Sequence, residues 1–235
     1  MKKVIVFLSF IFLLVGCGKK SDEIVMVTEA GFAPYEFYEN GEVIGVDIEI
    51  SKKIADKLGK KLVIKDVAFD SIINELNSGK ADFAAAGMSI DPERSEKVDF
   101  SIEYITSNQV VVVKKDSDIK SIDDIKDKRI SVQLGTVADT YVTKNYKDAK
   151  INRLKKFLVA AEDVKNNCIV MDAIPANELV KSNPELKVLD GILFQDKYGM
   201  AVKKGNKELL NSINLVLEEL IKDGKIDEYI IKFSE

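Results

Sequence analysis

From Glu23 onward, short runs of β-branched residues alternate with segments whose apolar residues recur at helical spacing. This alternation predicts parallel strands joined by helices, and hence an α/β fold. In the first part of the chain the pattern predicts strands at 24–28, 62–65 and 82–86, a helix capped by Asp47 that closes at Gly59, and a second helix that Asp70 caps and Gly79 ends. These elements form a βαβαβ unit.

A second unit begins near Val110. The pattern there predicts strands at 110–113, 129–133, 151–154 and 168–171, and helices at 119–126, 137–145 and 173–180. A strand at 200–202 and a strongly amphipathic helix at 208–221 then return to the first unit. We therefore expect lobe 1 to comprise residues 23–108 and 197–235 and lobe 2 to comprise 109–196, joined by two adjacent hinge strands.

The N-terminus has the pattern of a secretory signal. Lys2 and Lys3 precede an apolar run at 4–15 that is too short for a lasting membrane span, and Gly16 and Cys17 follow it. A small residue before a cysteine predicts a lipoprotein signal peptide at 1–16, lipidation of Cys17 and a tether at 17–22. An ordinary secretory signal is the alternative, but the large Leu14 disfavours it. The chain is thus expected to be extracytoplasmic and lipid-anchored in a membrane.

Charge and composition narrow the classes of function. The 35 basic and 39 acidic residues are interspersed, which predicts no nucleic-acid partner. Histidine is absent and cysteine occurs twice, so the usual transition-metal sites and nucleophile–base pairs are not expected. We expect no cofactor and no metal. With Cys17 lipidated, Cys168 has no disulfide partner and is interpreted as a small buried hydrophobic residue.

The segment 87–94, Gly-Met-Ser-Ile-Asp-Pro-Glu-Arg, carries the most information. Asp91 suits the N-cap of a helix, Pro92 suits its first position, and Arg94 falls in its first turn. A helix start beside a guanidinium favours a carboxylate ligand. Gly87 allows close approach of the backbone, and Ser89 offers a hydroxyl group. The alternative is that Arg94 pairs with a surface acid.

Three strand ends add candidate ligand-binding residues. Glu29 and Phe32 follow the first strand, and residues 133–137, Gln-Leu-Gly-Thr-Val, follow a strand of the second unit and open a helix. Ligands bind at such carboxyl ends in open α/β sheets. Asp172 ends a third, apolar strand, where a buried acid is costly unless it meets a cation. Asp172 is therefore expected to bind an ammonium group.

Taken together, these motifs resemble the polar amino-acid-binding family of bacterial solute-binding proteins, solute-binding protein family three. The resemblance covers the chain after the signal peptide and rests on 32–37 (Phe-x-Pro-Tyr-Glu-Phe), 45–49, Phe69, 87–94 continuing into 98–101, 132–136 and the strand into Asp172. Asn167 and Cys168 depart from the family's frequent Asp-Ala, and Met171 precedes the acid. The resemblance implies a two-lobe periplasmic-binding-protein (Venus-flytrap) fold with two hinge crossings. It also implies a monomer that binds a free amino acid and works with the membrane permease of an ABC importer, in the periplasm or at the cell surface.

The resemblance also implies a role for each candidate residue. The α-carboxylate of the ligand would be held by Arg94, Ser89 and the backbone of Thr136 and Val137, and its α-ammonium by Asp172 and the Gly87 carbonyl. Phe32 and Phe69 would sandwich the ligand, and Glu29 and Gln133 would set side-chain selectivity. The alternatives left open are a core role for Phe69 and a surface position for Gln133.

The side chain of the ligand is predicted from charge. Glu29 is negative, Gln133 is neutral, and no lysine is evident beside them, which argues against glutamate or aspartate. Arginine or lysine is therefore expected, ahead of glutamine, histidine and cystine. The alternative from another class is a cyclohexadienyl-type dehydratase, because the scaffold also resembles those enzymes. Such an enzyme needs no ammonium acceptor, so Asp172 favours a binding protein over an enzyme.

Overall fold

The computed structural model describes residues 22–164 and 168–234. The predicted signal peptide, Cys17, the tether up to residue 21 and Asn167 lie outside these residues. Within the described ranges no helix has both the length and the apolar character of a membrane span.

The described elements include most of those that the alternating pattern predicts, together with short strands and a last helix that it does not predict. The strands are β1 (Glu23–Thr28), β2 (Phe37–Glu39), β3 (Glu42–Ile44), β4 (Lys61–Asp66), β5 (Phe83–Ala84), β6 (Val98–Phe100), β7 (Ile105–Lys114), β8 (Arg129–Gln133), β9 (Lys150–Leu154), β10 (Cys168–Asp172), β11 (Leu186–Val188), β12 (Phe194–Tyr198) and β13 (Ala201–Lys203). The α-helices are α1 (Val46–Leu58), α2 (Ile72–Asn77), α3 (Pro92–Lys97), α4 (Val137–Asn145), α5 (Ala160–Asp163), α6 (Ala173–Ser182), α7 (Lys207–Lys222) and α8 (Lys225–Ser234). Short 3-10 turns span Phe69–Ser71, Ile122–Ile125 and Phe157–Val159.

The first sheet has the strand order β4-β1-β5-β13-β6. β1 pairs in parallel with both β4 and β5, which is the predicted βαβαβ unit, and β13 joins it antiparallel. The predicted long helix near the C-terminus is confirmed as α7, which lies against α1 and buries Ile213 and Leu217 completely. Each such buried aliphatic side chain stabilises the fold by about 1.5–3 kcal/mol relative to an exposed one.

The second sheet has the order β11-β7-β10-β8-β9, with β12 paired to β7 outside this path. β8 is parallel to both β9 and β10, whereas β7 is antiparallel to β10. The parallel strands end side by side, so the residues that follow β8 and β10 lie at one edge of the sheet. The predicted helix at 137–145 is confirmed as α4.

The chain crosses between the sheets twice, and the two crossing strands are neighbours. After β6 of the first sheet it enters β7, and after β12 it returns to β13 of the first sheet. β7 and β12 are antiparallel partners, with Ile105 opposite Tyr198. The predicted lobe boundaries, between 108 and 109 and between 196 and 197, each fall inside one of these strands. The division into lobes stays a prediction.

Three predicted element details are wrong. Asp47 does not cap α1: the helix starts at Val46, and the amides of Val46 and Asp47 donate to the carbonyls of Pro34 and Tyr35, both at 3.0 Å. Backbone carbonyls of the preceding loop therefore accept the hydrogen bonds of these amides in place of a capping side chain. Asp70 lies in a 3-10 turn and caps nothing by its side chain, and the helix expected at 119–126 is reduced to the turn Ile122–Ile125.

Candidate functional site

One cavity between the two sheets contains all ten residues that the sequence nominated. It encloses about 450 Å³, counting the part that opens to solvent, which is in the range of small-molecule sites. Its lining comprises Glu29, Phe32, Phe69, Gly87, Ser89, Arg94, Gln133, Thr136, Val137 and Asp172, together with Glu36, Ala86, Ala138, Phe157, Val170 and Met171. Glu36 and Phe157 were not predicted.

Arg94 stands on the first turn of α3, as predicted. Asp91 caps this helix by accepting the Arg94 amide at 3.0 Å, and Pro92 occupies its first position. The guanidinium is buried, with the residue 8% exposed, and its centre lies 5.3 Å from the centroid of the Phe69 ring. Nη1 donates to the Ser89 carbonyl at 2.7 Å, so a backbone oxygen from the segment just before α3 orients the guanidinium. Burial lowers the pKa of Arg94, but a guanidinium still keeps its charge in a protein.

The loop after β8 meets Arg94 from the second sheet. Arg94 Nη2 donates to the Gly135 carbonyl at 2.8 Å, a bond that links the two sheets across the cavity. Thr136 caps α4: its hydroxyl accepts the Asp139 amide at 3.2 Å and donates to the Gln133 carbonyl at 2.8 Å. The start of α4 therefore lies on the same side of the cavity as the guanidinium, and both favour a negative group there.

Asp172 ends β10 and brings the opposite charge to the lining of the same cavity. Its Oδ1 accepts hydrogen bonds from Ser107 Oγ, at 2.6 Å, and from the Tyr198 hydroxyl. Burial raises the pKa of Asp172 to about 6, and the negative charge of Asp196 adds to the rise. Asp196 accepts a hydrogen bond from Ser89 Oγ, and burial raises its pKa as well. The site thus holds two neighbouring, partly buried acids, which makes it favourable for a cation.

Gly87 also lines the cavity and has a conformation that suits glycine. Its φ is +49°, and a Cβ there would lie 2.8 Å from the Phe32 ring. The Gly87 amide donates to Asp47 Oδ2 at 2.9 Å, and the Tyr104 hydroxyl donates to Asp47 Oδ1 at 2.7 Å. Because Asp47 is not needed as a helix cap, its carboxylate instead fixes the loop that carries Gly87.

Glu29 and Gln133 meet across the cavity, because Gln133 Nε2 donates to Glu29 Oε2 at 3.1 Å. Burial raises the pKa of Glu29, while Gln133 and Lys156 lower it. Lys156 Nζ lies 3.6 Å from Glu29 Oε1. The sequence-based premise that no lysine lies near Glu29 is therefore wrong. The reason is that Lys156 follows β9, far along the chain, and no local pattern connects it with β1.

Aromatic side chains and a further acidic side chain form the rest of the cavity lining. Phe32 stacks on Tyr35 with centroids 5.7 Å apart and meets the edge of Phe157 at 5.3 Å. Glu36 is 1% exposed, and its Oε2 has no hydrogen-bond partner among the described residues. Burial and the neighbouring carboxylate of Asp47 raise the pKa of Glu36 well above its ordinary value. Burial therefore favours the neutral form of Glu36 more than it does for an exposed glutamate.

The charges around the cavity are predominantly acidic. Glu29, Glu36 and Asp172 line it, Asp196 lies behind Ser89, and Arg94 is the cation of the lining. Within the described ranges, no cluster of three or more residues has the composition of a metal site. The arrangement can bind an anionic group at Arg94 and cationic groups at the acids.

Comparison with known proteins identifies matches over nearly the whole chain. The model of the family described as bacterial extracellular solute-binding proteins, family 3, matches residues 24–235. The arginine-binding extracellular protein ArtP of Bacillus subtilis (strain 168) is 30% identical over 234 residues, covering 92% of this chain and 91% of its own.

Solved structures with the same architecture give equally broad matches. An ancestral arginine-binding protein, solved with arginine and also with glutamine, is 41% identical, with a TM-score of 0.84, over 90% of this chain and 98% or 97% of its own. The ancestral amino acid-binding protein AncCDT-1, described as a precursor of cyclohexadienyl dehydratase, is 34% identical, also with a TM-score of 0.84, over 91% of this chain and 96% of its own.

Proposed function

Because the chain belongs to family 3 of the bacterial extracellular solute-binding proteins, we propose that it binds one free α-amino acid and delivers it to the permease of an ABC importer. The observation that supports this most is the pair of opposite charges that the elements of two different sheets bring to one cavity. Arg94 is contributed by α3, which precedes β6 of the first sheet, and Asp172 by the end of β10 in the second. A zwitterion that reaches both satisfies two buried charges at once.

The proposed contacts of the ligand follow from the charges of the residues that line the cavity. Arg94, Ser89 and the backbone of Thr136 and Val137 hold the α-carboxylate, and Asp172 with the Gly87 carbonyl holds the α-ammonium. Phe32 and Phe69 pack against the ligand. Since the two charges come from different sheets, the ligand stabilises closure through contacts that an open form lacks. Hydrogen bonds to charged groups contribute about 1.5–3 kcal/mol each to this bias.

The ligand is a basic amino acid, arginine or lysine, ahead of glutamine, histidine and cystine. Glu29 and Asp172 line the cavity and Asp196 lies next to Ser89, against one guanidinium in the lining, which favours a ligand that brings positive charge besides its ammonium group. ArtP is named for arginine, and the ancestral relative was solved with arginine and with glutamine. Lys156 removes the earlier electrostatic argument against acidic ligands, so the preference for a basic one rests on the acids around the cavity.

The proposal also includes the location of the protein in the cell. The signal pattern at 1–16 supports lipidation of Cys17, anchoring in a bacterial membrane and a monomer that works outside the cytoplasm. A tether of a few residues keeps the receptor close to the permease, which raises its effective concentration there. Radiolabelled palmitate should enter the protein and be lost in Cys17→Ser.

Binding is favoured over catalysis. AncCDT-1 is described as an amino acid-binding protein and as a precursor of a dehydratase, so the scaffold itself is compatible with either activity. Asp172 favours binding of an amino acid, because a cyclohexadienyl carboxylate without an amino group offers no ammonium to this carboxylate. Turnover of such a substrate by the purified protein would contradict the proposal.

A thermal-shift screen against the twenty common amino acids and cystine tests the proposed function. A ligand present at 100 times its Kd adds about 2.7 kcal/mol to the unfolding free energy. For a chain of this size that corresponds to a rise in Tm of roughly 5–10 °C. Arginine or lysine should give the largest rise. The proposal fails if no free amino acid raises Tm.

A further inference from the structure

Lys156 reaches from the second sheet to three oxygen atoms of the first. It lies in the loop after β9, and its Nζ is 2.7 Å from Asp66 Oδ1, 3.3 Å from the Val67 carbonyl and 3.6 Å from Glu29 Oε1. Its side chain is 37% exposed, whereas that of Glu29 is 2% exposed. The ammonium is thus positioned between solvent and a buried acid of the cavity.

Asp66 holds this arrangement in place. Its Oδ1 also accepts the amide of Ala30, at 2.9 Å, so the carboxylate that binds Lys156 also fixes the residue next to Glu29. The neighbour of Lys156, Phe157, is buried against Phe32 with ring centroids 5.3 Å apart. The ammonium of Lys156 is therefore bound at Asp66, and the loop that carries it is packed at Phe157.

The charge of Lys156 acts on Glu29, the residue to which the proposed function gives the side chain of the ligand. Glu29 Oε2 is bound by Gln133, and the other oxygen, Oε1, has no hydrogen-bond partner among the described residues and faces Lys156. Lys156 offsets part of the negative potential of Glu29 and Asp66, so a neutral ligand side chain need not neutralise them. A cationic side chain is attracted to Glu29 less strongly than it would be without the lysine.

We propose that Lys156 is a specificity-determining residue that offsets the charge of Glu29, so that the cavity accepts neutral polar amino acids beside basic ones. This inference rests on the proposed function and deepens it. A purely structural role, in which Lys156 only holds the sheets together, would affect all ligands alike, because every ligand stabilises the same closed form.

Calorimetric titration with arginine and with glutamine separates the two roles. In Lys156→Met, and in Lys156→Gln as a second variant, the ratio of the Kd for glutamine to the Kd for arginine should rise about tenfold, as expected for loss of one partly screened charge several ångströms away. Lys156→Arg keeps the charge and should keep the ratio. Lys155→Met, a change at the exposed neighbour, is the matched control and should also keep it.

The outcomes are distinguishable. If both affinities fall by the same factor in Lys156→Met and Lys156→Gln, or if the ratio does not change, Lys156 has no role in specificity and the inference is wrong. If the unsubstituted protein binds neither these ligands nor any other free amino acid, the proposed function itself fails, and the inference fails with it.

Discussion

Replacement of Asp172 by asparagine should change ligand binding and folding stability in opposite directions. Asparagine keeps the size of the side chain and an oxygen that can accept from Ser107 Oγ and the Tyr198 hydroxyl, the two donors that aspartate now binds. The substitution removes a buried negative charge that lies next to Asp196. It therefore tests the charge while leaving the packing nearly unchanged.

The magnitudes follow from the burial of the site. Burial and Asp196 raise the pKa of Asp172 from 3.8 to about 6, and at about 1.36 kcal/mol per unit the ionised group destabilises the fold at pH 7 by about 3 kcal/mol. Asparagine relieves this cost, so we expect the unfolding free energy without ligand to stay equal or rise by up to about 3 kcal/mol. Binding loses a charged hydrogen bond to the ligand ammonium and leaves that ammonium poorly paired, at about 2–5 kcal/mol.

Two measurements on the same samples check this prediction. Titration calorimetry with the tightest ligand should show an affinity loss of roughly 30-fold or more. Denaturant unfolding without ligand should show equal or greater stability. Asp56→Asn, a change at an exposed position on α1, is the control and should alter neither quantity. An affinity loss of less than threefold, or a stability loss that accompanies the affinity loss, would refute the reasoning.

Three further predictions concern the same cavity. Glu29→Gln should weaken a basic ligand more than a neutral one in calorimetry, and equal losses would show that Glu29 does not face the ligand side chain. Affinity should fall roughly tenfold between pH 6.5 and 5, because Asp172, with a pKa of about 6, takes up a proton that an ammonium ligand must displace. The contribution of Asp172 to the unfolding free energy changes in the opposite direction and rises as pH falls through 6. Asp172→Asn should therefore show a smaller pH dependence of both the affinity and the unfolding free energy. Gly87→Ala should lower affinity at least tenfold with a milder loss of stability, because its Cβ would lie 2.8 Å from the Phe32 ring at a φ of +49°; unchanged binding would show that the Gly87 loop moves freely.

Residues whose position depends on local rules were predictable from the sequence. The spacing of Asp91, Pro92 and Arg94 obeys capping rules that act within one helical turn, and the structure forms that cap. The ends of parallel strands meet at one sheet edge by topology alone, which is why Gln133 and Asp172, at the ends of β8 and β10, line one cavity.

Residues that reach the site through tertiary contacts were not predictable in this way. Lys156 comes from a loop with no sequence signal, and Asp196 lies on β12, a strand whose pattern shows only alternation. Glu36 sits within the motif that supports the family resemblance, but nothing local reveals that its side chain is buried in the cavity. The wrong assignment of Asp47 as a cap has the same origin, because each carbonyl that replaces the cap lies twelve residues before the amide that it accepts.

The central claim is that opposite charges across the cavity hold both termini of a free amino acid, and an analogue series measures this most directly. Arginine, agmatine, which lacks the carboxylate, and Nα-acetyl-arginine, which lacks the ammonium, should be titrated under identical conditions. Loss of either terminus removes at least two charged hydrogen bonds, so both analogues should bind about 100-fold more weakly than arginine or worse. An analogue that binds within tenfold of arginine would contradict the account, because the charge it cannot engage, Arg94 or Asp172, would then contribute little.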